Sequence, residues 1–170
     1  MPADSNERGS NENRSLDCLL VQQPYASLIA FGKKRWEFRS YETKKRGVIG
    51  IAASPSSVLL TRNRSLNSVS NLFPRGVLLA TANIVNCFYA TGADLKKAMT
   101  GLIKINMHGH EMSTLDSPVG EPLEDVQLAA DSDSWESYVW ELNEVKPVMT
   151  QIPVIKKPRS TWVIVDYKDR

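Results

Sequence analysis

The sequence has few cysteines, no long apolar run and no dominance of one charge sign. Its 2 cysteines in 170 residues are too few for a disulfide framework. No apolar stretch approaches the roughly 18 residues that a membrane-spanning helix needs, and residues 1–15 lack the apolar core of a secretory signal. A net charge of +2 excludes a histone-like polycation and an acidic disordered chain. We therefore expect an intracellular protein, cytoplasmic or nuclear or both, with no membrane partner.

The small net charge hides a segregated charge distribution. Residues 32–46 carry seven basic and two acidic side chains, and residues 54–75 carry three basic and no acidic ones. Residues 146–170 carry six basic and two acidic side chains, whereas residues 111–144 carry ten acidic and no basic ones. Charge segregation of this kind gives information about binding partners and solubility rather than about the fold. We expect an acidic surface insertion, around residues 106–134, that lies apart from any binding cleft.

The apolar patterns predict six or seven strands and two or three short helices. The first helix is predicted over residues 24–31, because Pro24 suits its first turn and Gly32 its end. This many strands, joined by punctuated loops, favours an α+β fold, a small mixed β-barrel with flanking helices, over a doubly wound sheet. Residues 1–15 are predicted to be a disordered tail and residues 16–170 one domain. The predicted strands cover residues 16–21, 35–39, 48–53, 77–89, 137–145, 151–155 and 161–167, and a second helix covers 95–102.

The strongest chemical pattern is the run Gly32-Lys33-Lys34-Arg35-Trp36-Glu37-Phe38-Arg39. Because strand side chains alternate, Arg35, Glu37 and Arg39 are predicted on one face, and the two aromatic rings between them on the other, in the core. A carboxylate between two guanidinium groups stays ionised and fixes their positions. Lys34, at the start of the strand, is predicted to meet an anionic ligand. The alternative interpretation is a solvated strand face with ordinary ion pairs, each worth about 0–1 kcal/mol.

Aromatic, histidine and cysteine side chains give weaker signals. His108, His110 and Glu111 are too few for an ordered metal site, so neither a metal nor a cofactor is predicted. Cys18 and Cys87 lie in apolar strands and are predicted to be small buried hydrophobes. The candidate platforms for stacking an unstacked base are Tyr25, Tyr41 and Trp135, whereas the aromatic residues expected in the core are Trp36, Trp140 and Trp162.

The segment from Gln23 to Ser54 resembles the start of the ASCH domain family (activating signal cointegrator homology). That family has a Gly-x-Lys-x-x-Glu-x-Arg motif after a helix that opens with Gln-Pro-aromatic-Ala. The resemblance extends through a strand after Pro74 and a hairpin that begins near Trp135, so that it covers about residues 16–167. The positions that match the motif are Gly32, Lys34, Glu37 and Arg39, after Gln23-Pro24-Tyr25-Ala26.

The resemblance implies a PUA-like β-barrel with a cleft between the barrel and the first helix. It implies RNA, another single-stranded nucleic acid or a modified nucleotide as the ligand, and the basic runs agree with a ligand that carries phosphates. The residues expected to bind nucleic acid are Gln23, Tyr25, Lys33, Lys34, Arg35, Arg39, Lys44, Lys45, Arg46, Ser54 and Arg75.

Two alternative functions stay open. The resemblance extends to ribonucleases and to amidohydrolases that act on acylated cytidine, and Lys34 and Glu37 would then be the acid/base pair, helped by Tyr41 or Ser54. The amidohydrolase subgroup has a threonine where this chain has Glu37, which disfavours that reaction. The second alternative is an adaptor, similar to a transcription coactivator, that binds a protein partner through the acidic residues 111–144.

Overall fold

A six-stranded sheet organises the protein. The computed structural model describes residues 14–56, 58–62, 64–100, 103–105, 111–113, 119, 124–154 and 161–167. The strands are β1 (Arg14–Val21), β2 (Trp36–Arg39), β3 (Gly47–Ala53), β4 (Val77–Thr91), β5 (Ile103–Ile105), β6 (Glu111–Ser113), β7 (Glu136–Pro153) and β8 (Trp162–Tyr167). Across the sheet, the strand order is β2-β7-β4-β3-β1-β8, and β5 pairs with β6 in a separate ribbon.

The sheet curls into a half-barrel. Strand β1 pairs with β3 in parallel, and the other neighbours in the sheet are antiparallel. The rings of Trp140 in β7 and Trp162 in β8 stack with centroids 5.8 Å apart, although three strands lie between β7 and β8 in the sheet. Only a strongly curved sheet brings such distant strands together. The structure thereby confirms the predicted α+β fold with its small mixed barrel.

Short helices cover the sheet, and the described residues contain five of them with one 3₁₀ turn (Ser70–Leu72). Helix α1 (Tyr25–Ala30) and helix α4 (Gly92–Thr100) overlap the predicted helices. Helix α5 (Glu124–Ala130) lies in the predicted insertion, where no helix was expected. No helix in the described part of the chain has the length and apolarity to cross a membrane. The remaining helices are α2 (Val58–Arg62) and α3 (Arg64–Asn67).

Strand β7 joins two segments that the sequence predicts as separate strands. Its pairing with β4 jumps from Ala80 opposite Pro147 to Leu78 opposite Ile152. The extra residues of β7 bulge outward, and the side chain of Met149 is 95% exposed. An outward bulge interrupts the alternation of buried and exposed positions, so the sequence pattern breaks although the chain continues as one strand.

Apolar side chains from β1 enter the cores on both faces of the sheet. Leu19 belongs to the cluster inside the half-barrel, which also holds Ile49 and Trp140. Cys18 belongs to a second cluster on the other face, and burial raises the pKa of its thiol to about 12. A Cβ atom at Gly50 would lie 2.3 Å from the Cys18 sulfur, so this strand pair requires glycine there. Cys18 is buried as predicted, and Cys87 is half-buried.

Several predictions concern residues outside the described part of the chain. They include residues 1–13 of the predicted tail, and His108 and His110 of the weak metal-ligand pattern. The last two residues of the predicted tail, Arg14 and Ser15, already belong to β1. The boundaries of the single domain stay a prediction.

Candidate functional site

The glycine of the motif sets the position of Lys34. The Gly32 N–H donates to the Ile29 carbonyl, and the Lys33 N–H donates to the Leu28 carbonyl, both at 2.8 Å. This pair of bonds is the Schellman closure of a helix, and it needs the left-handed backbone that Gly32 adopts with φ of 69°. The chain turns back below α1, and the Lys34 ammonium lies 5.3 Å from the centre of the Tyr25 ring.

Three charged side chains of the motif form a buried ion triad. The Lys34 side chain is only 1% exposed, and its Nζ donates to the Trp36 carbonyl and, at 2.8 Å, to Glu37 Oε2. The Arg39 guanidinium donates through Nη2 to Glu37 Oε1 at 2.9 Å and to the Leu20 carbonyl at 2.8 Å. Each carboxylate oxygen of Glu37 therefore faces one cation, which compensates the cost of burying these charges.

The triad shifts the pKa of two of its members. Burial raises the pKa of Glu37, but the attraction of Lys34 and Arg39 and their hydrogen bonds outweigh it, so the pKa is lower than usual. Burial lowers the pKa of Lys34, and the attraction of Glu37 only partly opposes this effect. Glu37 therefore stays ionised at neutral pH, and Lys34 loses its proton more readily than a solvated lysine.

A pocket of about 230 Å³ opens above the triad. The Phe38 and Trp135 rings meet edge-on in its wall, with centroids 5.4 Å apart and an interplanar angle of 88°. The Lys34 ammonium lies 5.1 Å from the centre of the Phe38 ring. Such a space, with ring walls and a polar floor, suits a flat ligand that carries hydrogen-bonding groups. The pocket is lined by Tyr25, Lys34, Glu37, Phe38, Leu95, Asp125, Val126, Ala129, Trp135 and Ser137.

Helix α5 forms one wall of this pocket. The Tyr25 hydroxyl donates to the Asp125 carboxylate, with oxygen–oxygen distances of 2.6 and 2.5 Å, and so links α1 to α5. Burial, and next the hydrogen bond to Asp125, raise the pKa of Tyr25. Val126 and Ala130 pack with Leu95 of α4 in a third apolar cluster. The expectation that the insertion lies apart from the cleft is therefore wrong for α5, because the apolar face of this helix needs to be buried.

The structure brings four of the predicted residues together at the pocket. Tyr25, Lys34, Glu37 and Trp135 line it, and Arg39 lies behind Glu37. Phe38, which was expected to lie in the core with Trp36, also lines the pocket. The expectation holds only in part for Phe38, because its ring packs half-buried against the third apolar cluster, as Trp36 does, and also borders the pocket.

Three other predicted residues have structural contacts away from the pocket. Gln23 is fully buried, and it donates to the Pro74 carbonyl at 2.6 Å and accepts from the Ser27 N–H. Ser54 is buried and accepts the Ser56 N–H in a turn. Tyr41 packs edge-on against Trp140 and does not line the pocket.

Apart from Lys34, which lines the pocket, and Arg39, which pairs with Glu37, the predicted basic residues lie outside the pocket. Lys45 is half-buried, pairs with Asp17 and lies 5.3 Å from the centre of the Trp162 ring. Their role in binding stays a prediction, as does the protein partner of residues 111–144. Of the residues predicted to bind nucleic acid, the basic side chains that are exposed are Lys33, Arg35, Lys44, Arg46 and Arg75.

Sequence reasoning missed six pocket residues in all. Ser137 donates to the Arg39 carbonyl at 3.0 Å and thereby holds β2 beside β7. The spacing of Val126, Ala129 and Ala130 is that of one helical face, and this signal could have identified α5. No comparable signal marks Asp125. The missed residues are Phe38, Leu95, Asp125, Val126, Ala129 and Ser137.

Comparisons with known proteins agree on one family. The family model of the ASCH domain matches residues 19–148. The chain is similar to activating signal cointegrator 1 of Homo sapiens, with 38% identity over 82 residues, and to that of Mus musculus, with 37% identity over 82 residues. Each match covers 41% of this chain and only 14% of the relative's length.

Two solved structures share part of the architecture. They are mutant proteins of ZmASCH from Zymomonas mobilis, with 14% and 12% sequence identity and TM-scores of 0.47 and 0.49. The first likeness covers 81% of this chain and 74% of the other, and the second covers 89% and 87%. The family model itself spans more than half of the 170 residues, from β1 into β7. The chain therefore belongs to the ASCH domain family.

Proposed function

We propose that the protein binds RNA or another single-stranded nucleic acid and holds one base, or one modified nucleotide, in the pocket above the ion triad. The ASCH domain has a PUA-like fold that is associated with RNA binding, which gives the coarse class of function. The observation that carries the finer proposal is the pocket itself, in which Tyr25, Phe38 and Trp135 surround hydrogen-bonding groups.

The pocket suits a base better than a phosphate. Its cation Lys34, and Arg39 behind Glu37, are already paired with Glu37, and the Asp125 carboxylate also lines the pocket, so a phosphate gains little there. A base is uncharged and carries both donors and acceptors. With about 230 Å³, the pocket is smaller than the roughly 300–1,000 Å³ of sites for drug-sized ligands, which favours a single base.

The phosphates of the strand would then lie on the surrounding surface. Lys33, Arg35, Lys44 and Arg46 are exposed and belong to the stretch of residues 32–46 with its excess of basic side chains. Each phosphate contact releases counterions, so binding weakens as the salt concentration rises. The proposed site therefore combines a base pocket with a salt-sensitive approach surface.

Single-stranded RNA binding, measured by fluorescence anisotropy at several salt concentrations, tests this proposal. Replacing Trp135→Ala removes a stacking surface worth about 1–3 kcal/mol, so we expect affinity to fall by about 5- to 150-fold. Tyr89→Ala is the matched control, because Tyr89 is 50% exposed but does not line the pocket. Absence of binding at low salt, or equal losses in the two variants, would refute the base pocket.

Hydrolysis is a second candidate function, and the lowered pKa of Lys34 beside Glu37 favours it. An amine that loses its proton readily is a better base near neutral pH than an ordinary lysine. The expected helpers Tyr41 and Ser54 do not line the pocket, so Lys34 and Glu37 would act with the other pocket residues. Turnover of RNA or acylated cytidines that disappears in Lys34→Ala would support this function. No turnover by the wild type would exclude hydrolysis, and turnover unchanged in Lys34→Ala would exclude Lys34 as its base.

A further inference from the structure

The segment that follows β3 exposes apolar side chains that the fold does not use. Within residues 58–75, Leu60 is fully buried, whereas Leu72 is 73% exposed and Val69 is 36% exposed. The Leu72 N–H donates to the Val69 carbonyl at 2.9 Å. Residues three apart in a 3₁₀ turn lie on the same side, so these two side chains form one apolar patch.

The charged side chains within this segment have one sign. Residues 54–75 contain three arginines, no lysine and no acidic residue. The side chains of Arg62 and Arg75 are exposed, and Arg75 follows Leu72 by only three residues. Arginine is enriched and lysine is depleted in protein interfaces relative to the remaining surface. The arginines of this segment, although not its serines, are therefore typical of a contact surface for a protein.

We propose that the described residues of this segment, with Arg62, Val69, Leu72 and Arg75 exposed, form a docking surface for an acidic peptide segment of a partner protein, whose aliphatic side chains contact Val69 and Leu72. Carboxylates of the peptide would accept the paired N–H donors of Arg62 and Arg75, which match carboxylate geometry. The charge complementarity is direct, because no acidic side chain of the segment itself competes for these arginines.

Two other occupants fit this surface less well. Single-stranded RNA stacks on exposed aromatic rings, whereas the exposed side chains here are aliphatic. Anionic membranes recruit clusters of about 4–8 basic residues, and this segment has three. None of its residues lines the pocket. The proposed surface is thus independent of the base pocket, and either site can fail without the other.

Hydrogen bonds attach the end of this segment to the barrel. The Pro74 carbonyl accepts the Gln23 side-chain amide, and the Gly76 N–H donates to the Ala53 carbonyl at 2.9 Å. Helix α2 packs against α3 and carries the buried Leu60. A preformed surface loses little conformational entropy on binding, which favours a measurable affinity for a short peptide.

Fluorescence anisotropy with a labelled synthetic peptide of alternating Glu and Leu tests the proposal on the full chain. We expect the wild type to bind, and Leu72→Ser and Arg75→Glu each to weaken binding by about tenfold or more. Leu128→Ser is the matched control, because Leu128 is 66% exposed on α5 and should leave the affinity unchanged. Circular dichroism verifies that each variant is folded.

Comparison probes separate the proposal from its rivals. A peptide with Lys in place of Glu, and one with Ser in place of Leu, should both bind at least about tenfold more weakly than the acidic aliphatic peptide. Equal binding of the Lys peptide, equal loss in Leu128→Ser, or no binding by the wild type would overturn the proposal. The proposal would also be overturned if Leu72→Ser and Arg75→Glu kept their peptide binding. In that case, a loss of RNA binding, of binding to phosphatidylserine vesicles or of self-association would show which other occupant uses the surface.

Discussion

The protein has two clusters of aromatic rings and cations with similar composition and different packing. The pocket cluster consists of Tyr25, Phe38 and Trp135 around Lys34, and it borders a space of about 230 Å³. The interior cluster consists of Tyr41, Trp140 and Trp162 with the cations Arg39 and Lys45. In the interior cluster Trp140 is fully buried, and its indole N–H donates to the Tyr41 carbonyl at 3.1 Å.

A stacked pair of rings distinguishes the interior cluster, since both clusters also contain an edge-on pair. Trp140 and Trp162 are stacked with an interplanar angle of 24°, so they use their faces on each other. Phe38 and Trp135 meet edge-on at 88°, which leaves ring faces for a ligand. Rings beside cations occur in cores as well as in binding sites. Whether such a cluster binds a ligand therefore depends on the space that its packing leaves, and sequence does not reveal that space.

Truncation of one tryptophan in each cluster gives the largest expected contrast. Trp140→Ala removes a fully buried ring and should lower the free energy of unfolding by about 3–5 kcal/mol. Trp135→Ala, at a half-buried position, should cost less stability but lose RNA affinity. Urea unfolding measures the first effect and fluorescence anisotropy the second. If Trp135→Ala proved the more destabilising variant, the pocket cluster would be a core and the contrast would be refuted.

The ion triad gives the next effect. Glu37→Gln leaves the buried Lys34 and Arg39 without a carboxylate, and breaking a buried pair costs about 3–5 kcal/mol. We expect about 3 kcal/mol, because the amide oxygen still accepts a hydrogen bond. Urea unfolding of Glu37→Gln and of Glu141→Gln, a half-buried glutamate of β7 outside the triad, measures the difference. Equal stability of the two variants would contradict the role of the triad.

The acid stability of the protein should depend on Glu37. Burial raises the pKa of Glu37, but Lys34 and Arg39 lower it by more than burial raises it. The pKa of Glu37 in the folded protein is therefore below its value in the unfolded chain, which is about 4.3. The stability contributed by Glu37 is then complete above about pH 4.3 and is lost as the pH falls through the folded pKa. The urea midpoint should therefore fall less in Glu37→Gln than in the wild type between about pH 6 and pH 3. Parallel falls would contradict this assignment.

The sequence predicts the local parts of the site because short-range physics determines them. The end of α1 at Gly32 and the start of β2 follow from helix capping and strand alternation, and they place Lys34 next to Glu37. The sequence also predicts Tyr25 and Trp135 as residues of the candidate site, and both line the pocket. By contrast, the partner of Tyr25 is Asp125, one hundred residues away in the chain. Such a contact depends on the curl of the sheet and on how α5 packs.

The same distinction applies to the fold. Apolar patterns predict most strands of the half-barrel to within a few residues, whereas the continuity of β7 through its bulge is not predicted. Whether an aromatic ring is buried or borders the pocket depends on contacts between strands that are far apart in the sequence. Phe38 was therefore assigned to the core, although β2 itself was predicted correctly.

The link between α1 and α5 gives a smaller effect. Tyr25→Phe removes the hydroxyl that donates to Asp125, and a hydrogen bond to a charged group contributes about 1.5–3 kcal/mol, less at an exposed position. We expect a loss of about 1 kcal/mol in urea unfolding and a moderate loss of RNA affinity, because the ring remains. Ser132→Ala, outside the pocket, is the control. A stability equal to that of wild type would show that α5 is held by its apolar face alone.

The smallest effect should come from the ion pair of the interior cluster. Lys45 pairs with Asp17, and their side chains are 35% and 50% exposed, so solvent screens the attraction. Asp17→Asn should therefore change the free energy of unfolding by at most about 1 kcal/mol, against about 3 kcal/mol for Glu37→Gln. Moderate salt should abolish even this small effect, while the triad, which solvent barely reaches, should retain its effect. Equal salt sensitivity of the two variants would mean that burial does not protect the triad from screening. The ion pairs beside the pocket would then not differ electrostatically from the Lys45–Asp17 pair.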